Sequence, residues 1–141
     1  VDEVDRLDRH VGAAPARLVH LAERALAQLL ADLQVVPVDL AEAALAAAEA
    51  ELANRPDVYG YDVLAWTLLK NGRLDEAAAA SQQALRLGTP EALFYYHAGM
   101  IAAARGNTQQ AKQHLATALD LNPHFDLIQA QIAQETLSNL P

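Results

Sequence analysis

The sequence predicts an all-α fold, an α-solenoid of antiparallel helix pairs, and three observations carry that expectation. First, residues 57–90 and 91–124 repeat one another with a period of 34, so that Tyr61 recurs as Tyr95, Gly72 as Gly106, Ala77 as Ala111, Ala84 as Ala118, Leu85 as Leu119 and Leu87 as Leu121. Second, each unit reads as a helix, a glycine turn and a return helix. Third, alanine supplies roughly a fifth of all positions against 5% aromatic residues, a composition that suits closely packed helices. A unit of this length buries its apolar face only by stacking on a neighbour.

The elements follow in order. Residues 1–13 are acidic, with Val4, Leu7 and Val11 at helical spacing before Gly12, and predict a short, weakly structured helical segment. Residues 14–33 carry Leu18, Leu21, Ala22, Ala25, Leu26, Leu29, Leu30 and Leu33 as a broad apolar stripe, ended by Val35, Val36 and Pro37. Asp39 then offers an N-cap oxygen with Glu42 three residues on, predicting a capping box and a helix over 40–54. Shifting the repeat back by 34 places Ala43, Ala50 and Pro56 under Ala77, Ala84 and Pro90, but Val38 stands where a glycine is due. Residues 14–56 therefore read as a degenerate repeat.

The two clear repeats are punctuated alike. Asp57 opens a helix to Asn71, Gly72 takes the left-handed turn, and 74–87 returns before Gly88. Thr89 and Pro90 predict an N-cap followed by proline at the first helical position. The next helix reaches Arg105, Gly106 turns, and Asn107 with Gln110 caps the helix to Leu121. Asn122 and Pro123 repeat the start signal for a last helix over 123–138, with Leu127, Ile128, Ile132, Ala133 and Leu137 beside Gln129, Gln131, Gln134 and Glu135. That mixed face suits a terminal cap.

With its repeat laid out, the chain resembles the tetratricopeptide repeat proteins. The residues that carry the likeness are Tyr61, Leu64, Ala65, Leu68, Gly72, Ala77, Ala84 and Pro90, then Tyr95, Ala98, Gly99, Ala102, Gly106, Ala111, Leu115, Ala118 and Pro123. The resemblance covers 57–124, continues weakly over ~20–56, and gives residues 125–141 the role of capping helix. It implies one domain over 1–141, a right-handed superhelix whose repeats line a concave groove with their first helices. Ser81 stands where a large apolar residue is usual, and Leu68 and Ala102 where an aromatic is common. The small residues have a steric reason: Ala77, Ala84, Ala111 and Ala118 let the return helix approach its partner, while Tyr61 and Tyr95 fill the wedge between them.

Charge narrows the partners. The 141 residues carry a net charge of −8, and eleven of the 18 acids lie in 1–57 against five basic residues. No cluster of Lys or Arg occurs, so nucleic acid and anionic lipid surfaces are poor partners. Cysteine is absent, which excludes disulfides, thiolate metal sites and cysteine nucleophiles. No apolar run reaches the ~18 residues of a membrane span, and no signal peptide pattern is visible. The chain begins at Val1 rather than Met, which fits a processed form or a fragment.

Helical geometry selects the candidate site. With Tyr61, Leu64, Ala65 and Leu68 facing the stack, Tyr59, Asp62, Val63, Trp66, Leu69 and Lys70 point into the groove. The matching stripe in the next repeat holds Leu93, Tyr96, His97, Met100 and Ala103. Helices apolar almost all round are covered on both sides, so the groove is expected to hold something. A peptide or helix of a partner protein is the first occupant, anchored by Trp66, Tyr59, Tyr96 and Met100. The chain's own terminal helices, or a second copy in a homo-oligomer, are the alternatives. The Lys/Asn carboxylate clamp that some relatives of this kind use is not expected, because Asp62, Val63 and Trp66 occupy its stripe.

Nothing in the pattern predicts catalysis, a metal or a cofactor. His10, His20, His97, His114 and His124 form no zinc-binding helix pair, and the glycines mark turns rather than a phosphate loop. His97 is expected as a hydrogen-bonded, partly enclosed imidazole. The acidic run Asp2, Glu3, Asp5 and Asp8, and the pair Asp75 and Glu76, read as helix starts favoured by the dipole. The expected function is a non-catalytic protein–protein interaction scaffold, with a self-associating assembly module as the alternative and an enzyme accessory subunit as a remote one.

Overall fold

Among the described residues, 37–141 of the computed structural model, every regular element is a helix. They run α1 (Val38–Asn54), α2 (Val58–Lys70), α3 (Leu74–Leu85), α4 (Ala92–Ala104), α5 (Thr108–Leu121) and α6 (Gln129–Asn139). The helix expectations for 1–13 and 14–33, and the acidic run, lie outside the described residues. Each helix packs on the next, α2 with α3 and α4 with α5 forming the tightest pairs.

The turns inside the two pairs have the same geometry. Gly72 (φ 72°) and Gly106 (φ 75°) adopt the left-handed conformation. Arg73 N–H reaches Leu68 O at 3.0 Å and Gly72 N–H reaches Leu69 O at 3.0 Å, with Asn107 and Gly106 repeating this on Ala102 and Ala103 at 2.9 and 3.0 Å. These reciprocal bonds satisfy the last carbonyls of the first helix and reverse the chain within two residues. Asp57 caps α2 by accepting from Gly60 N–H at 2.8 Å, and Asn107 caps α5 by accepting from Gln110 N–H at 3.3 Å.

Four helix limits differ from the sequence expectation. Asp39 is not an N-cap: α1 starts earlier, Pro37 O accepting from Ala41 N–H at 2.9 Å, and Asp39 sits in the first turn where the dipole favours it. The return helix α3 ends at Leu85 rather than Leu87, because Gly88 N–H already bonds Leu85 O at 2.9 Å. Thr89 does not cap α4. Its carbonyl takes Glu91 N–H at 2.8 Å in a tight turn, and the helix begins at Ala92. The last helix starts at Gln129 rather than Pro123, since Asn122 Oδ1 captures His124 N–H at 3.0 Å and Asp126 Oδ1 captures Ile128 and Gln129 N–H at 2.8 Å each. Side chains of this kind offer the backbone an alternative to the helix.

The core divides into two clusters. Leu45, Ala65, Leu68, Ala77, Ala80 and Ile101 join α1, α2, α3 and α4. Tyr96, Leu115, Ala118 and Ala133 form the second, with Trp66, Met100, Phe125 and Ile132 packed against it. Ala77, Ala84, Ala111 and Ala118 are all buried, as the close helix contacts require. Gly99 belongs to the same logic, because a β-carbon there would lie 2.7 Å from Leu115 Cγ. On α6, Ala130 and Ala133 are buried while Gln131, Gln134 and Glu135 face solvent, the mixed character expected of a cap. Leu127 and Ile128 depart from it: the delayed helix start leaves them exposed.

Candidate partner-binding face

Successive turns of α2 place Tyr59, Asp62, Val63, Trp66, Leu69 and Lys70 along one side, and α4 places Leu93, Tyr96, His97 and Met100 along another. The two helices meet through pairs 35 residues apart, one repeat plus one residue. Tyr59 meets Phe94 edge-on, with ring centroids 5.2 Å apart at 71°. One turn on, His97 Nδ1 donates to the Asp62 carboxylate, at 2.9 and 3.0 Å from its two oxygens. Both side chains are buried, so this bond joins the first helices of consecutive repeats away from water.

The rings close around that pair. Trp66 stacks on His97 with centroids 4.2 Å apart at 22°, and lies 5.7 Å from Tyr96. Lys70 places its ammonium 4.4 Å from the Trp66 ring centroid, a cation–π contact, and partial burial pushes its pKa down. Burial, reinforced by the negative charge of Asp126, pushes the Tyr96 phenol up to about 12. Tyr96 also packs against Phe125, with ring centroids 5.4 Å apart.

The ten expected site residues thus fall into three tiers. Tyr59 and Val63 are each 52% exposed. Trp66, Leu69, Lys70, Leu93 and Met100 are partly buried. Asp62, Tyr96 and His97 are enclosed, at 5%, 1% and 5% exposure, and support the face from within instead of offering surface. Trp66, Tyr96 and Met100 share one cluster, whereas Tyr59 meets Phe94. The sequence reading missed the contribution of α1. Ala48, Glu51 and Arg55, with Asp57, Tyr59, Gly60 and Val63, line a cleft of 170 Å³ beside the exposed pair.

Chemically the face offers exposed apolar side chains beside a cleft, with the Asp62–His97 pair enclosed behind them. The other described histidines stand apart from it: His114 lies near Tyr95 with its pKa lowered by burial, and His124 is exposed. Asp75 pairs with Arg105 at 2.9 Å and Glu76 with Arg73, both on the exposed turn edge. Among the described residues no group of three or more His, Asp or Glu could hold a metal ion, and no helix is long and apolar enough to cross a membrane.

A tetratricopeptide repeat family model matches residues 58–87 and 92–125. The chain is also similar to the cytochrome c-type biogenesis protein CycH of Rhizobium meliloti (strain 1021), at 40% identity over 102 residues. That alignment covers 70% of this chain and 26% of CycH, so the chain spans about a quarter of the length of the relative. No solved structure matches.

Proposed function

Residues 58–87 and 92–125 make this chain a tetratricopeptide repeat protein, a module for protein–protein interaction, and from that we propose that it is a non-catalytic holder of client polypeptide segments. The client is an amphipathic helix or extended peptide laid with its apolar side on Tyr59, Val63, Trp66, Leu69, Leu93 and Met100. The observation that carries the reading is the exposure of Tyr59 and Val63 beside the 170 Å³ cleft, on the same face as Trp66. Isolated apolar residues on a surface are ordinary, but an aromatic and a branched aliphatic one helical turn apart, beside a concavity, supply the anchors that a helix or peptide needs.

The likeness to CycH points to a client class. Clients of this chain are polypeptides handled during cytochrome c biogenesis, and the likeness over 102 aligned residues supports that reading. The −8 net charge adds long-range attraction for basic clients and slows capture of acidic ones.

Titrating fluorescently labelled peptides that tile an apocytochrome c sequence, followed by anisotropy, tests the proposal. At least one amphipathic peptide should bind with micromolar strength. Tyr59→Ser combined with Val63→Ser should weaken it about tenfold or more with the melting temperature kept, as loss of anchor residues does. Absence of binding by every peptide removes the client class, and binding indifferent to the double substitution removes the face.

A further inference from the structure

Asn71 is the only asparagine in the chain followed by glycine. Glycine carries no side chain to shield its backbone nitrogen, so in such a pair that nitrogen can approach the asparagine Cγ closely. In the folded chain both reactants are held apart. Asn71 Nδ2 donates to Ala41 O of α1 at 2.9 Å and to Thr67 O of α2 at 2.8 Å. Gly72 N–H donates to Leu69 O at 3.0 Å, and closing a ring onto Cγ requires Asn71 to rotate far from the ψ of 4° that it keeps as the cap of α2.

We propose that Asn71 is a deamidation site gated by the docking of α1 on α2. When α1 lifts, the Ala41 carbonyl releases the side-chain amide and the end of α2 frays. The Gly72 nitrogen then bonds to Asn71 Cγ and the Cγ–NH2 bond breaks. The Gly72 amide proton leaves with the amino group as ammonia, and a succinimide remains. Water opens the ring to give aspartate or isoaspartate at position 71. Either product is a carboxylate that cannot donate to the Ala41 carbonyl, so the α1–α2 contact is left weaker than before.

The contact matters beyond the turn. It ties α2 to α1, whose Ala48 and Glu51 line the cleft together with Tyr59 and Val63. Deamidation therefore reshapes the wall of the proposed client face. This last consequence rests on the client reading, whereas the chemistry and its gate do not.

Incubating the full chain in mildly alkaline buffer and mapping its peptides by mass spectrometry tests the gate. Conversion at Asn71 should run at least roughly tenfold slower in the folded chain than in the urea-unfolded chain, because reaction awaits local opening. Leu45→Ala, which thins the buried side of α1, should speed it, and so should urea below the unfolding midpoint should that variant fail to fold. Equal rates in the folded and unfolded chain, or no acceleration on loosening α1, would overturn the gate. Asn71→Asp should raise hydrogen exchange across 38–54 while α4 and α5 stay protected. Unchanged exchange in α1 would overturn the weakening. None of these outcomes depends on a client, so failure of the client reading leaves the test intact.

Discussion

Leu115 lies directly over Gly99: a β-carbon at Gly99 would fall 2.7 Å from Leu115 Cγ and 2.8 Å from Cδ2. The equivalent positions one repeat earlier are Ala65 and Ser81, both buried. The corresponding pair of positions thus holds glycine and leucine in one repeat and alanine and serine in the other.

Gly99→Ala should therefore destabilise the fold by about 1–3 kcal/mol through overpacking. Pairing it with Leu115→Ala should recover part of that loss, since the second change removes the atoms the new methyl strikes. Urea unfolding of the two singles and the double measures the coupling, expected at about 0.5–3 kcal/mol for side chains in contact.

In the first repeat the swap runs the other way. Ser81→Leu alone should overpack against Ala65 and cost about 1–3 kcal/mol. Ser81→Leu with Ala65→Gly should be less destabilising than Ser81→Leu alone. Stability of the double below that of the single would show that the two repeats do not share one packing solution.

Breaking the buried Asp62–His97 pair should be costly. Asp62→Ala or His97→Ala leaves one buried polar group without its hydrogen-bond partner, which typically costs about 1–3 kcal/mol. Both changes together should cost less than the sum of the singles, because no orphan remains. Thermal unfolding of the three variants checks this.

The Tyr96 phenol fixes an alkaline limit. Burial raises its pKa in the folded chain from 10.0 to about 12 and favours the neutral form. Its contribution to stability is complete below the unfolded value and is lost as pH rises through that window. Ultraviolet titration should show a late-ionising phenol that Tyr96→Phe removes, and the same variant should flatten the fall in melting temperature above pH 10. An unchanged fall in Tyr96→Phe would assign the alkaline loss to other groups.

The 34-residue recurrence made the helix pairs, their glycine turns and their buried alanines legible, because each is fixed by local sterics at one position. Helix starts were less legible. Thr89, Asn122 and Asp126 each have side chains or carbonyls that serve a turn as readily as a helix, and tertiary context chose the turn for them. The candidate face was read residue by residue, and its internal pairing was not. Asp62 with His97, and Tyr59 with Phe94, are each separated by 35 residues. One period plus one residue was the available signal, since it brings the first helices of neighbouring repeats side by side. The share of α1 in the cleft was hidden because the degenerate repeat lacks the glycine that would have set its register.

Trp66 is the chain's one tryptophan, and it lies face to face with His97, 4.2 Å away, across the seam between two repeats. The light it emits is therefore a property of the seam and not of either repeat alone. Separating the repeats by even a small rotation would remove the imidazole from the excited indole before any helix melts. The molecule thus carries its own reporter, placed where one repeat meets the next.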